Sequence, residues 1–371
     1  MKFMKHYTII IAACGLLLSS CGSDVSTFGQ STIQFVRSIL GDSESPEYRI
    51  LKSYDPADSD GSIFVVGDSL SCYAAAKQLM RSDDRDNIDG LGESDGLPDF
   101  AGESISVVND VANGLYDSLV LKGKGEVLRE ITVRTVLMSV DTLCYLSPFD
   151  LEGLGKKQKA KMIVLSSPAM AAYGLFDVDS LLTASSCSLP VISPVHTLAE
   201  EITEDDNSTV GVITSGLRAD AGIYPMLFGK AAASKGKDVS CYAAPVEDPQ
   251  KALMSFLDGY IGAGNVNPID VIVVDDRACS IERMKKELET ILSVMNEEFL
   301  RYSDFISPGF RIVEPSSVLR RECYRTLRER NLFTHRIAHP VTESYLIVSR
   351  DRGTNLDSDI LIEYNNRYIP R

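Results

Sequence analysis

A serine that directly follows an apolar run is the first residue of this sequence that could do chemistry. Ser69 lies in Gly67-Asp68-Ser69-Leu70, after the run Ile63 to Val66. A serine at a strand-to-helix turn acts as a nucleophile when a histidine takes up its proton. Aspartate and serine are also preferred caps of a helix that begins at such a turn. The local sequence therefore leaves both interpretations open.

Hydroxyl and carboxylate side chains also follow other apolar runs. Ligands of parallel sheets bind beyond the carboxyl ends of the strands, where helix N-termini and hydroxyl groups can bind an anion such as a carboxylate. Arg218 and Asp275 stand at such ends as well. From this pattern we predict a site for a small polar ligand, formed by Ser69, Ser166, Ser167, His196, Thr197, Ser215 and Asp276.

The elements that position these residues alternate along the chain. Apolar runs such as "KMIVL", "TVGVI" and "DVIVV" predict buried strands, and amphipathic segments between them predict helices. This order predicts an α/β fold of two Rossmann-like domains, each with a parallel sheet flanked by helices, and a ligand cleft between them. Within it, "ISVVNDVANGLYDSLVLKG" is expected to be a helix and "EITVRTVLMSV" a strand.

The N-terminal segment is typical of exported proteins. Lys2 and Lys5 precede an apolar run, and Leu18-Ser19-Ser20-Cys21 resembles the bacterial lipobox. This resemblance implies that Cys21 carries lipid and that the protein is anchored to the bacterial cell envelope, with the anchor as its sole membrane contact. The expected divisions are a signal peptide at 1–20, a tether at 21–47, and domains at 48–205 and 206–371. The tail 336–371 either returns to the first domain or forms a hairpin.

The charge and the cysteine content of the chain indicate which classes of binding partner and metal site to expect. The chain has 37 basic and 52 acidic residues, a net charge of −15, which argues against nucleic acid as a partner. The acidic loop from Ser82 to Glu103 lacks the spacing of an EF-hand. After Cys21, six widely spread cysteines remain; their even number in an exported protein permits disulfides, buried free thiols are the favoured interpretation, and a metal site is not expected. No cofactor and no metal ion are predicted.

Two family resemblances bear on function. "MIVLSSPAMAAYG", "SLPVISPVHT" and "VGVITSGLRADAGIYPMLFGKAAASKG" are similar to type I periplasmic binding proteins, the fold of the branched-chain amino-acid receptors. That resemblance implies a hinged cleft and adds Tyr224 to the ligand-binding residues, beside Ser166, Ser167, His196, Thr197 and Ser215.

The second resemblance is to aspartate and glutamate racemases, which also have two α/β domains and a "PV" strand before the crossover. It implies two cysteines on opposite sides of the substrate, one removing and one donating a proton. This sequence has Ser166 and Ser167 at the first position and Asp275 and Asp276 at the second, and Cys279 follows about one turn too late. The two-cysteine chemistry of the family is therefore not expected here.

The Gly67-Asp68-Ser69-Leu70 segment also resembles the sequence motif of GDSL-type esterases. That family places its histidine in a late Asp-x-x-His segment. Leu332 precedes His335 by three residues and Arg336 precedes His339 by three, so neither histidine fits. Without a base the serine hydroxyl is not activated.

The sequence as a whole thus predicts a lipid-anchored solute-binding protein that recognises a small polar ligand, an amino acid or another carboxylate, in an interdomain cleft. A transporter or an envelope protein is an expected partner. The alternatives are a diverged racemase-like or esterase-like enzyme, or a protein-interaction lipoprotein without a small ligand. No catalytic residue is assigned.

Overall fold

A computed structural model of the chain describes residues 31–364, except 88–89, 91, 150–151, 206–207, 294–296, 337 and 352–354. The predicted signal peptide and Cys21 lie outside the described residues. The strands are β1 Ser62–Asp68, β2 Ser104–Asp110, β3 Leu143–Tyr145, β4 Leu154–Lys156, β5 Ala160–Leu165, β6 Val191–Ile192, β7 Thr209–Ile213, β8 Ser240–Ala244, β9 Ile269–Val274, β10 Ile306–Val313, β11 Val341–Ser349 and β12 Asp359–Glu363.

Helices connect the strands. They are α1 Gln34–Gly41, α2 Pro46–Lys52, α3 Ser69–Arg81, α4 Tyr116–Leu121, α5 Gly125–Val140, α6 Pro168–Tyr173, α7 Leu175–Ala184, α8 Pro194–Glu204, α9 Gly216–Asp220, α10 Ile223–Ser234, α11 Ala252–Gly262, α12 Ile281–Ser293, α13 Glu297–Ser303 and α14 Pro315–Glu329. Short 3₁₀ turns precede α11 and β12, at Pro249–Lys251 and Leu356–Ser358.

The strands form two sheets. The first has the order β4-β3-β12-β11-β2-β1-β5-β6 and the second the order β10-β9-β7-β8. Strands β11, β2, β1, β5 and β6 run parallel, as do all neighbours in the second sheet. The pairs β11–β12 and β3–β4 are antiparallel. The predicted α/β fold with parallel sheets flanked by helices is confirmed.

The last strands of the chain belong to the first sheet. β11 pairs with β2 from Val341↔Ser104 to Ile347↔Asp110, and β12 pairs with β11 as an antiparallel neighbour. Helix α14 packs against α3 and α8 of the same sheet. The first domain is therefore built from both ends of the described chain, and the second sheet is formed by the residues between them.

Side chains along β1 point alternately to the two faces of the sheet and so belong to two parts of the apolar core. Phe64 and Val66 point to one face, in a core that continues through α5, α8 and α10 to Val210 and Val271 of the second sheet. Ile63 and Val65 point to the other face, which α3 and α14 cover. Such two-sided burial is typical of parallel strands. The outer face of the second sheet packs against α11 and α12.

Two predicted elements are wrong. The segment beginning at Ile105 is the strand β2, all of whose residues are buried, and only its later part forms the short helix α4. The segment 130–140 belongs to the helix α5 rather than to a strand. Its β-branched residues favour a strand locally, but tertiary packing overrides that preference.

The expected tether at 21–47 is also corrected for the part that the structure describes. Val36 and Ile39 of α1 are buried in the core. The backbone N–H of Ile33 donates to Asp177 at 3.0 Å, and Arg129 pairs with the same carboxylate at 2.6 Å. A helix whose apolar face lies in the core, and whose preceding residue Ile33 is held by Asp177, is part of the fold and not a free linker. No helix within the described residues has the length and apolar character to cross a membrane.

Candidate functional site

The turn after β1 is explained by packing. A Cβ on Gly67 would lie 2.4 Å from Ser166 Oγ, so β1 and β5 approach closely only because residue 67 is glycine. Ser166 Oγ donates to the carbonyl of Val66 at 2.8 Å. Ser69 is the first residue of α3. The Gly-Asp-Ser sequence therefore satisfies the geometry of a strand-to-helix turn.

Asp68 and Asp110 end the neighbouring strands β1 and β2, and Tyr116 links them. Its backbone N–H donates to Asp68 at 3.0 Å, and its hydroxyl donates to Asp110 at 2.8 Å. Asp110 also accepts from the backbone N–H groups of Ala112 and Asn113. Burial nevertheless raises the pKa of Asp110 to about 6. These contacts fix the beginning of α4 above the carboxyl ends of the strands.

An ion-paired cluster joins the two domains next to this point. We call Asp117, Arg218, Tyr224 and Asp275 the interdomain polar cluster. Arg218 Nε of α9 donates to Asp117 of α4 at 3.1 Å, and Arg218 Nη1 donates to Asp275, which follows β9. The α4 helix belongs to the first domain, whereas α9 and β9 belong to the second. Arg218 therefore holds a carboxylate from each domain.

Burial perturbs the acids of this cluster. It raises the pKa of Asp117, although the Arg218 charge opposes the change. Burial, followed by the nearby Asp275 carboxylate, raises the pKa of Tyr224 well above its ordinary value. The Tyr224 hydroxyl lies near Asp275 without a hydrogen bond of acceptable geometry. At neutral pH the tyrosine is a neutral donor.

Three of the buried polar atoms without a hydrogen-bond partner in the described part of the chain lie where β5 ends and where α4 and α10 begin. They are Asp117 Oδ1, Tyr224 Oη and Ser167 Oγ. The three residues are only 6%, 1% and 1% exposed. Buried polar groups in folded proteins are almost always hydrogen-bonded, so atoms of this kind mark places where a ligand or water binds. Two hydroxyl groups and one carboxylate oxygen are thus available to a ligand.

The other predicted site residues have different surroundings. Ser215 is exposed and accepts from the backbone N–H of Arg218 as the cap of α9. His196 Nε2 lies 3.6 Å from Glu200, and burial lowers the pKa of its imidazole. Thr197 lines a separate cavity beside β6. Asp276 accepts from the backbone N–H of Ala278 at 2.9 Å.

Sequence reasoning missed Asp117 as a site residue. The reason is the incorrect helix predicted over β2, which hid the strand end that α4 follows. Arg218 and Asp275 were recognised as strand-end residues. The sequence feature that could have indicated the cluster was the arginine among the hydroxyl side chains that follow β7. Nothing in the sequence pairs Arg218 with Asp117, which lies 101 residues away.

The thiols of the described residues do not form a catalytic pair. All six described cysteines are free. Burial, with Asp276 and Glu287 adding to it, raises the pKa of Cys279 to about 11, so this thiol is protonated at neutral pH. In the same part of the chain, no group of three or more His, Cys, Asp or Glu side chains could hold a metal ion.

Comparison with known proteins gives fold neighbours of low identity. No protein-family model and no curated protein matches the sequence. Glutamate racemase RacE1 from Bacillus anthracis is 15% identical with a TM-score of 0.47, over 78% of this chain and 90% of that one. A Francisella tularensis glutamate racemase in complex with D-glutamate is 14% identical with a TM-score of 0.41, over 81% and 91%. An aspartate racemase homologue from Pyrococcus horikoshii is 8% identical with a TM-score of 0.36, over 72% and 99%.

These neighbours correct the first interpretation of the sequence. They are racemases and racemase homologues, not periplasmic binding proteins, and the predicted resemblance to the latter family is corrected accordingly. The predictions of solute binding and of a lipoprotein that accompanied it are likewise unsupported. The resemblance to racemases was the better of the two, and at these identities it concerns the fold alone.

Proposed function

We propose that this chain is a diverged racemase-like enzyme that binds a small amino acid at the interdomain polar cluster and transfers a proton with oxygen acids in place of thiols. The observation that supports it is the set of three buried, unpartnered polar atoms, Asp117 Oδ1, Tyr224 Oη and Ser167 Oγ. Ser167 lies just after β5, at a strand end of the kind where ligands of parallel sheets bind, and Asp117 and Tyr224 lie at the beginnings of α4 and α10.

The chemistry of these atoms complements an amino acid. The free carboxylate oxygen of Asp117 is an acceptor for the substrate Cα proton, and the hydroxyl group of Tyr224 is a proton donor. The hydroxyl group of Ser167 can donate a hydrogen bond to the substrate carboxylate. Arg218 already holds Asp117 and Asp275, so it orients the acceptor and compensates the charge of the cluster. Because the cluster is buried, a ligand enters when the two domains move apart.

Proton transfer then falls to the two titratable groups with unpartnered atoms. Asp117 has a raised pKa, which makes its carboxylate a stronger base than an ordinary aspartate. Tyr224 keeps its proton at neutral pH and can donate it. Cys279 is not assigned the role of the base because its thiol is not ionised at neutral pH.

Hydrogen–deuterium exchange at the substrate Cα tests this proposal. The protein is incubated in deuterium oxide with common amino acids, aspartate and glutamate first, and the Cα–H signal is followed by NMR. We expect exchange with at least one amino acid. Asp117→Asn and Tyr224→Phe should each slow it by about 100-fold or more, the usual contribution of a general acid or base.

Two variants serve as controls. Tyr260→Phe removes another buried tyrosine hydroxyl, one that donates to the carbonyl of Asn267 at 3.0 Å, and should leave exchange unchanged. Cys279→Ser should also leave it unchanged. A loss of exchange in Cys279→Ser would show that this thiol takes part in proton transfer, contrary to the proposal. Absence of exchange with every amino acid tested would refute the proposal as a whole.

A further inference from the structure

A cavity between the two domains, separate from the interdomain polar cluster, has an unusual charge. It has a volume of about 510 Å³ and is lined by residues of α3, the segment after it, α14 and the loop after β9. We call it the basic cavity and define it by Tyr73, Lys77, Arg81, Asp84, Arg277 and Arg320. It lies within the size range of small-molecule sites.

The lining of the basic cavity is strongly positive in a strongly negative protein. Four of its lining residues are cations and one is an anion, whereas the whole chain carries a net charge of −15. Two cavities of comparable size are balanced or slightly negative. One has Lys156, Lys157, Lys159 and Arg336 against Asp58, Asp60, Glu343 and Glu363; the other has Arg325 and Arg330 against Asp179, Glu322 and Glu329.

The cations of the basic cavity come from different elements. Lys77 and Arg81 are four residues apart on α3 and therefore share a face of this helix. Arg320 of α14 is held by an ion pair with Asp84. Arg277 follows β9, two residues after Asp275 of the interdomain polar cluster. Guanidinium groups bind phosphate and carboxylate oxygens in pairs, so three arginines and a lysine suit a multiply charged oxyanion.

We propose that the basic cavity binds a multiply charged oxyanion of small-metabolite size, either a phosphate ester or a polycarboxylate. The bound anion contacts α3 and α14 of the first domain and Arg277 of the second. It therefore stabilises the closed arrangement of the domains that brings Asp117 to Arg218. This inference is independent of the proposed enzymatic activity, since binding can be measured whether or not proton transfer occurs.

Thermal unfolding with defined anions tests the inference. The full chain is titrated with pyrophosphate and, separately, with citrate, each at millimolar concentration and against sodium chloride of equal ionic strength. A ligand that binds the folded state raises Tm, and we expect a rise of several degrees with one of the two anions. The stronger anion identifies the source, phosphate or carboxylate.

The decisive comparison uses matched pairs of variants. Arg81→Gln/Arg277→Gln should abolish the anion-dependent rise in Tm, because it removes half of the positive charge that lines the basic cavity. Lys159→Gln/Arg336→Gln removes the same charge from the balanced cavity near β11 and should retain the rise. An equal rise in all three proteins, or no rise in the unmodified protein beyond that of sodium chloride, would overturn the proposal.

Discussion

The interdomain polar cluster and the basic cavity are neighbours, since Asp275 belongs to the cluster and Arg277 lines the cavity. Their charged side chains are arranged in opposite ways. In the cluster, Arg218 is mostly buried and has a carboxylate on each side. In the basic cavity, Lys77, Arg81 and Arg277 are exposed, and one carboxylate, Asp84, faces the cations. Arg218 balances two carboxylates in the cluster, whereas the lining of the cavity has four cations and one anion.

Because their charges are arranged differently, the two regions should respond differently to substitution. A buried ion pair costs much free energy when one partner is removed, because the other is left buried and uncompensated. An exposed pair contributes little. The cluster should therefore control the stability of the folded protein, and the cavity should control its response to anions and salt.

The largest effect is expected from Arg218→Met. The substitution leaves Asp117 and Asp275 without their cation and should lower the free energy of unfolding by about 3 kcal/mol or more, as measured by chemical denaturation. Arg320→Met, which breaks the exposed pair with Asp84, should cost less than about 1 kcal/mol.

A triple variant separates the loss of charge compensation from a general packing defect. Adding Asp117→Asn and Asp275→Asn to Arg218→Met removes the stranded charges and should recover much of the stability. If Arg320→Met lowered the free energy of unfolding as much as Arg218→Met does, the two regions would not differ in their contribution to stability.

The next effect concerns pH. Burial raises the pKa of Asp110 from 3.8 in the unfolded chain to about 6 in the folded protein. Between these values the folded state binds more protons, so this residue makes the protein less stable as pH rises from about 4 to about 6, by up to about 2 kcal/mol. Asp110→Asn should flatten this part of the stability profile.

The basic cavity provides the control for that measurement. Lys77→Gln leaves the buried Asp110 carboxyl group unchanged, so the variant should keep the decline seen in the unmodified protein. A profile of Asp110→Asn that still declines in the same way would show that another carboxyl group causes it.

The smallest effect is the salt dependence of the basic cavity. Lys77→Gln removes one of several neighbouring like charges and should stabilise the protein by less than about 0.5 kcal/mol at low ionic strength. The gain should vanish in about 1 M salt, where the Debye length is about 3 Å. Denaturation curves at the two salt concentrations measure it, and a gain that persists in high salt would point to a packing change instead.

The sequence predicted those parts of the site that follow strands with a plain apolar pattern. The strands β5, β7 and β9 each end in an apolar run, so Ser166, Ser167 and Asp275 were correctly located at strand ends. The strand β2 contains Asn109 and Asp110 within its buried length, and these polar residues interrupt the apolar run by which a buried strand is recognised. Asp117 was lost with that strand.

Other features depend on tertiary contacts that leave no local pattern. The helix α5 contains Thr132, Val133, Thr135 and Val136, residues whose χ1 preferences favour strands, but its position beneath the first sheet makes it a buried helix. The basic cavity was equally hidden, because its cations come from three separate parts of the chain. Only the packing of α14 on α3 brings Arg320 to Lys77 and Arg81.

The insertion of β11 between β2 and β12 has a consequence for biosynthesis. The first sheet lacks two of its inner strands until residues 341–363 have been translated, more than 230 positions after β2. The second sheet is complete once β10 has been made and so can form earlier during synthesis. Pairings this distant in sequence form slowly, and the edge of β2 keeps unpaired backbone N–H and C=O groups until β11 has been made.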